Sequence, residues 1–126
     1  MRAVDTNVLV RLLTRDDARQ AAAADRYVDG GAWISQIVLV EATWVLDSVY
    51  GLEPAQIAVA VDMLLNHQHL TIESSDVVAA ALTRFRARPQ LGFSDCLIVE
   101  VARKAGHLPL GTFDKDLARL DGAQKL

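Results

Sequence analysis

The stretch that decides the fold is RAVDTNVLVRLL, residues 2–13. Residues 2–5, Arg-Ala-Val-Asp, are interpreted as a short strand that ends in the carboxylate of Asp5. Thr6 and Asn7 supply a turn and a helix cap, and residues 8–13 continue as a short helix. The stretch therefore predicts the opening strand and helix of an α/β fold.

The same alternation of short strands and helices continues along the chain. Further strands are predicted at residues 32–34, 70–73, 108–112 and from 123 onwards. Helices are predicted at 17–28, 36–50, 54–66, 74–88, 92–104 and 114–120. Strands separated by helices require crossover connections and a parallel sheet. We therefore predict an α/β/α three-layer sandwich with a parallel sheet of four or five strands, formed by a single domain over residues 1–126.

Length and composition agree with one ordinary globular domain. The chain has 126 residues, of which 52% are hydrophobic and 23% charged, a balance that argues against disorder. A single cysteine, Cys96, excludes an intrachain disulfide framework. No apolar run approaches the ~20 residues of a membrane span, and the N-terminus lacks a signal-peptide core. We expect a cytoplasmic protein.

The charge is unevenly distributed along the chain. The net charge is −3, and residues 27–83 contain no lysine or arginine at all. The basic residues belong to the two ends of the chain, residues 1–26 and 84–126. If the fold brings those ends together, an acidic protein can still present a basic face to nucleic acid.

The acidic residues with the clearest pattern follow predicted strands or begin predicted helices. In a parallel sheet, the functional site lies at the carboxyl ends of the strands. Asp5, Asp95, Asp114 and Asp116 occupy such positions, whereas Glu41 interrupts an otherwise apolar helix, where burying it unpaired would be costly. Each aspartate alone could be an ordinary helix cap. As a set, converging carboxylates repel one another and require a cation, and oxygen ligands favour Mg²⁺ or Mn²⁺ over zinc.

These motifs, taken in order, resemble those of the PIN-domain ribonucleases. The resemblance rests on VDTNVL at residues 4–9, on Glu41 in a long helix, on FSD at 93–95 and on GTFD at 111–114. In length and motif order, the chain looks most like the short VapC-type toxins of type II toxin–antitoxin systems.

The resemblance implies a function and a set of site residues. It implies endonucleolytic cleavage of RNA with Mg²⁺ or Mn²⁺, a homodimer, and inhibition by a cognate antitoxin protein. Asp5, Glu41 and Asp95 match the three strongest acids of the family, and Asp114 matches the fourth, with Asp116 as an adjacent helper. The polar residues that match the lining of the pocket are Thr6, Asn7, Ser35 and Thr112.

Two further expectations concern partners. RNA phosphates would be bound by arginines from the basic ends of the chain, namely Arg11, Arg15, Arg84, Arg86 and Arg88. The helices at 36–50 and 54–65 are apolar on nearly all sides, and one small domain covers only one face of each. The remaining apolar surface favours a dimer.

Other readings of the same pattern remain open. A receiver-like signalling domain has a similar length and sheet, but it needs an acidic pair after the first strand and a late lysine. A haloacid-dehalogenase-like phosphatase needs Asp-x-Asp, where this chain has Asp5-Thr6-Asn7. A non-catalytic binding module on the same fold is the third alternative.

The two acids after the fourth predicted strand are not equivalent. Positions two apart on a helix point about 200° apart, so Asp114 and Asp116 cannot face one metal equally. We expect Asp114 to cap the following helix and to be the more important acid.

Overall fold

A computed structural model describes all residues from 1 to 126. The chain contains six α-helices and five short strands, and it divides into two compact units, Met1–Ser75 and Asp76–Leu126. None of the helices has both the length and the apolar character needed to span a membrane.

The first unit is built on a three-stranded parallel sheet. Its strands are β1 (Arg2–Ala3), β2 (Ala32–Ile34) and β3 (Leu70–Ile72), hydrogen-bonded in the order β1-β2-β3. Its helices are α1 (Thr6–Thr14), α2 (Ala18–Val28), α3 (Gln36–Ser48) and α4 (Pro54–Asn66). The centre of its core consists of fully buried aliphatic side chains, among them Leu9, Ile34, Leu39, Leu46 and Val61.

The second unit combines two helices with a two-stranded parallel sheet. It contains almost all of α5 (Ser75–Ala87), then α6 (Phe93–Ala105), and the strands β4 (Leu110–Thr112) and β5 (Ala123–Lys125). Single 3₁₀ turns at Pro89–Leu91 and Leu117–Arg119 separate these elements. Val78, Phe85, Phe93, Cys96 and Val99 are among its buried core residues.

The predicted fold class is confirmed, with one difference in the sheet. All strand pairs are parallel, and helices separate the strands along the chain. The five strands form ladders of three and two, whereas the sequence predicted one sheet of four or five. Each strand has only two or three residues and makes few ladder bonds, and such short strands show weak alternation in the sequence from which to assign neighbours.

Two helix starts differ from the prediction in ways that affect the acids. Asp5 itself caps α1, because its side chain accepts from Asn7 N, so Thr6 and Asn7 already belong to the helix. Gly92 begins α6 with φ +81° and no side-chain cap, which leaves Asp95 in the first turn. The helix expected at 114–120 is only the 3₁₀ turn at Leu117–Arg119.

Candidate functional site

The first pair of candidate acids lies in the first unit and is connected through Thr6. Asp5 follows β1, and its Oδ1 accepts a hydrogen bond of 2.8 Å from the backbone N–H of Asn7. Thr6 donates from Oγ1 to Oε2 of Glu41 at 3.1 Å. Thr6 therefore connects Glu41 on α3 to the start of α1, one residue from the carboxylate of Asp5.

The expectation that Glu41 is buried in an apolar helix is wrong. The side chain is exposed, although α3 carries apolar residues on most of its surface. At 3.6 residues per turn, position 41 shares a face with Ile37 and Trp44, which are 79% and 62% exposed. An acid on that face keeps its hydration, so its presence there carries no burial cost.

Ser35 and Asn7 have structural roles at helix starts. The Ser35 hydroxyl accepts from Val38 N at 3.1 Å, as a cap of α3, and Asn7 contributes its backbone N–H to Asp5. The sequence missed Glu73, whose Oε1 accepts from Gln36 N at 2.9 Å. Glu73 begins the loop after β3, and nothing in the surrounding sequence predicts that its side chain would cap α3.

The second pair of candidate acids, Asp95 and Asp114, lies in the second unit. Asp95 is half-buried in the first turn of α6. Burial raises the pKa of its carboxyl above the ordinary value, and the negative charge of Asp114 raises it further. Asp95 forms no ion pair with a lysine or arginine. The charge of Asp95 is therefore partly desolvated, is repelled by Asp114 and is not paired with a basic side chain.

The turn after β4 holds Asp114 in a defined orientation. Thr112 Oγ1 accepts from Asp114 N at 3.0 Å, and Asp114 Oδ1 accepts from the backbone N–H groups of Asp116 and Leu117 at 2.8 and 3.1 Å. Asp114 therefore caps this turn, where the sequence predicted that it would cap a helix over residues 114–120. Asp116 is exposed and its side chain makes no capping bond.

Comparison with protein-family models gives one match, to the PIN domain, over residues 2–123. The chain belongs to the PIN domain family. Comparisons with curated proteins and with solved structures gave no match. PIN domains are generally metal-dependent nucleases and typically use divalent metal ions. The family match covers both units, and it argues against the receiver-like signalling domain and the haloacid-dehalogenase-like phosphatase as interpretations of the sequence.

The donor groups of this PIN domain suit a hard cation. Each unit supplies a pair of carboxylates, Asp5 with Glu41 and Asp95 with Asp114, and oxygen ligands of this kind select Mg²⁺ or Mn²⁺. The repulsion between Asp95 and Asp114 is the electrostatic condition that a bound cation relieves. Neither unit contains a cluster of three or more His, Cys, Asp or Glu side chains able to hold a metal.

Three of the five arginines expected to bind RNA are engaged by carboxylates. Arg11 pairs with Asp16 at 3.2 Å and also donates to Tyr50 Oη at 3.0 Å. Arg15 makes two bonds to Asp25, at 3.1 and 2.6 Å. RNA binding by these side chains would compete with their ion pairs.

The third engaged arginine belongs to a buried network that the sequence did not reveal. Glu100 on α6 is only 5% exposed. It accepts from Arg84 Nε at 3.2 Å and from Arg103 Nε at 2.9 Å. Arg86 and Arg88 lie at the end of α5 and just beyond it. The i, i+3 spacing of Glu100 and Arg103 was the available signal for this cluster.

Proposed function

We propose that the chain is a Mg²⁺- or Mn²⁺-dependent endoribonuclease that works in the cytoplasm as the toxin of a toxin–antitoxin pair. The catalytic and metal-binding acids are Asp5, Glu41, Asp95 and Asp114, with Asp116 as a helper. We further propose that residues 1–126 act as one nuclease domain, in keeping with a family match that spans both units.

The observation that carries this proposal is the unmatched charge of Asp95. A partly buried carboxylate beside a second carboxylate, without a basic partner, is unfavourable for folding and suits a cation site. Asp95 ends the FSD motif at residues 93–95, one of the motifs by which the chain resembles the PIN-domain ribonucleases, and this supports its role as a ligand. Endonucleolytic action and RNA as the substrate are supported by the motif order that resembles the short VapC-type toxins.

Each acid has a role that follows from its surroundings. A bound divalent cation supplies positive charge that neutralises the phosphate and lowers the pKa of water. The proposed ligands are Asp5 in the first unit and, in the second unit, Asp95 and Asp114. The capping bonds of Asp5 and Asp114 use only Oδ1 of each carboxylate. Glu41 is exposed and oriented by Thr6, which suits it to complete the ligand set or to accept a proton.

The direct test is cleavage of RNA by the purified protein with and without Mg²⁺ or Mn²⁺. We expect internal cleavage of RNA that requires the metal, and no turnover of a small phosphomonoester. Hydrolysis of the phosphomonoester instead of RNA would replace the nuclease by a phosphatase. A folded protein that binds RNA but cleaves none with either metal would favour the binding-module alternative.

Exposed apolar side chains in the first unit support a protein partner. Ile37 and Trp44 on α3, Val49 just after it, and Val59 and Met63 on α4 are each more than half exposed. Most monomeric proteins do not leave so many large apolar side chains on two neighbouring helices in water. We propose that the part of this surface contributed by residues 37, 44 and 49 is covered in a homodimer. A monomer in light scattering at high micromolar concentration would contradict it.

The antitoxin remains a separate part of the proposal. A cleft of about 450 Å³ lies in the first unit, lined by α1, α3 and α4 with Leu13, Tyr50 and Met63 among its residues and Asp16 in its wall. An apolar cleft of this kind suits a partner segment that carries apolar side chains. Co-expression with the neighbouring small reading frame should suppress toxicity. Absence of any such partner would remove the toxin assignment and leave the nuclease.

A further inference from the structure

The side chain of Glu41 has one hydrogen-bond partner, and that partner lies on another helix. Glu41 is exposed on α3, and its Oε2 accepts from Thr6 Oγ1, in the first turn of α1, at 3.1 Å. A carboxylate side chain in solvent otherwise samples several rotamers. The orientation of Glu41 therefore depends on where α1 lies against α3.

Three side chains attach the other end of α1 to the end of α3. Tyr50 Oη accepts from Arg11 Nη1 at 3.0 Å and donates to Asp16 Oδ2 at 2.7 Å. Arg11 also pairs with Asp16 Oδ1 at 3.2 Å, so each member of this Tyr50 cluster (Arg11, Asp16 and Tyr50) bonds to both others. The backbone of Tyr50 is attached to α3, because its N–H donates to Val45 O at 3.3 Å.

The end of α1 brings Asp16 into the Tyr50 cluster. Arg15 follows α1 in the left-handed conformation, with φ +54°, which reverses the chain at this point. Thr14 Oγ1 then donates to Asp16 Oδ1 at 2.8 Å, and Arg11 Nε donates to Gln20 on α2. The charges and hydroxyls of the cluster are therefore paired with one another, as in an ordered contact between elements.

The two attachments lie at opposite ends of one short helix. Thr6 is the first residue of α1 and Arg11 lies in its last turn, about 7.5 Å further along the axis at 1.5 Å per residue. Leu9 and Val10 between them are buried, but the hydrophobic effect is non-directional. A hydrogen bond requires a defined distance and angle. Attachments at both ends therefore prevent α1 from pivoting on the bond between Thr6 and Glu41.

We propose that Tyr50 is a positioning residue for Glu41. The Tyr50 cluster fixes the last turn of α1 to the end of α3, and α1 in turn orients Glu41 through Thr6. This role rests on the proposed nuclease function and extends it to a residue outside the proposed ligand set. A displacement of about 1 Å at a reacting centre can lower a rate about a hundredfold, so the position of α1 matters for catalysis.

Tyr50→Phe tests this role, because it removes a single oxygen atom and leaves the net charge unchanged. Binding of Mn²⁺ without RNA, followed by the electron paramagnetic resonance of the free ion, should weaken by about two- to tenfold, as expected for the loss of one hydrogen bond. At a subsaturating Mn²⁺ concentration, kcat should fall several-fold while KM for RNA stays near that of the parent. If kcat alone falls, Glu41 is positioned as a proton acceptor and not as a ligand.

Asp25→Asn is the matched control. Asp25 on α2 makes two hydrogen bonds to Arg15 at the end of α1, so its loss loosens α1 from α2 and leaves the attachments to α3 intact. We expect Mn²⁺ affinity and kcat near those of the parent. Equal losses in Asp25→Asn and Tyr50→Phe would overturn the positioning role, because they would reflect a general loosening of α1.

Thr6→Val tests the route from Tyr50 to Glu41. It removes the hydroxyl that binds Glu41 and should itself lower Mn²⁺ affinity or kcat. If Tyr50 acts through α1, adding Tyr50→Phe to Thr6→Val should cause little further loss, whereas independent sites would show additive losses. A full effect of Tyr50→Phe in the Thr6→Val background would overturn the proposed role.

The same four proteins, compared by chemical denaturation, provide a readout that needs no metal. Loss of the Tyr50 hydroxyl should reduce the destabilisation caused by Thr6→Val, because the bond to Glu41 is then already weakened. If the parent neither binds Mn²⁺ nor cleaves RNA, the nuclease fails, and additive free energies of unfolding would overturn the positioning role as well. If the parent cleaves RNA and Tyr50→Phe matches its Mn²⁺ affinity and kcat, the positioning role is wrong and the nuclease stands.

Discussion

Asp95 and Glu100 lie five residues apart on α6 and have opposite electrostatic surroundings. Glu100 is the more buried of the two, at 5% exposure, but two arginines bind its oxygens. Asp95 is less buried, yet it has no cation and is repelled by Asp114. The extent to which an acid is buried is therefore a poor guide to its role in this protein. Whether the acid has a basic partner is a better guide.

The two acids also show what each arrangement does for the fold. A buried carboxylate with two guanidinium partners connects α5 to α6 and contributes to stability, because each of its oxygens accepts a charge-assisted hydrogen bond. A carboxylate beside another carboxylate opposes folding until a cation arrives. The first arrangement is structural, and the second is the one on which the proposed metal site rests.

The largest expected effect is on catalysis by Asp95. Asp95→Asn should reduce metal-dependent RNA cleavage at least about a hundredfold, because a neutral amide is a poor ligand for a hard cation. Circular dichroism should show an intact fold. Cleavage at the parent rate would show that Asp95 is not part of the site. It would also show that the absence of a basic partner does not distinguish the role of Asp95 from that of Glu100.

Glu100→Gln should have the opposite profile. We expect cleavage within a few-fold of the parent at a temperature where the variant is folded, because Glu100 does not belong to the proposed acids. Its free energy of unfolding should fall by about 2 kcal/mol or more, since Arg84 and Arg103 lose a buried counter-charge. Chemical denaturation measures this change.

A second ion pair of the same unit provides the matched control for Glu100. Lys104 on α6 pairs with Asp76 on α5 at 3.0 Å, and both side chains are well exposed. Asp76→Asn should lower the free energy of unfolding much less than Glu100→Gln does, because solvent screens an exposed pair. Equal losses in the two variants would show that burial does not distinguish these pairs.

The Mn²⁺ requirements of the Asp114→Asn and Asp116→Asn variants should differ by a smaller factor. Asp114→Asn keeps an oxygen for the two capping N–H groups but removes the charge beside Asp95. We expect it to raise the Mn²⁺ concentration needed for half-maximal cleavage several-fold more than Asp116→Asn does. A titration of cleavage with Mn²⁺ compares them, and a larger shift for Asp116→Asn would reverse their order.

The smallest expected effect is a gain in stability without metal. The pKa of Asp95 is raised in the folded protein, so ionisation of Asp95 opposes folding at any pH above that raised pKa. The penalty disappears as the pH falls through the folded pKa. Asp95→Asn should therefore melt at a higher temperature than the metal-free parent at neutral pH, and the difference should narrow towards pH 4. A difference that grows on acidification would contradict the raised pKa.

The sequence predicted the elements better than the contacts. Asp17 and Ser35 begin helices as expected, because the preference for such residues at caps is local. The exposure of Glu41 was missed because the apolar residues around α3 do not indicate which face is covered. The partners of Glu100 lie on α5 and one turn further along α6, and a pairing between helices leaves no periodic mark in the sequence.

In the candidate site, too, local features were predicted better than contacts between residues far apart in the chain. Asp114 accepts the capping hydrogen bonds that a local pattern predicted, but the helix that it was expected to begin is only a 3₁₀ turn at Leu117–Arg119. The bond between Arg11 and Tyr50 was missed, because these residues are 39 positions apart and nothing in the sequence connects them.

The buried Cys96 makes the chain convenient for site-specific labelling. It is the only cysteine, it is fully buried, and burial raises the pKa of its thiol to about 11. A thiol in that state reacts slowly with maleimides at neutral pH, since the thiolate is the reactive form. Cysteines introduced at exposed positions such as Ile37 and Phe113 would then take up spin labels selectively. Their separation, measured with and without Mn²⁺, would report directly on how the two compact units respond to the ion.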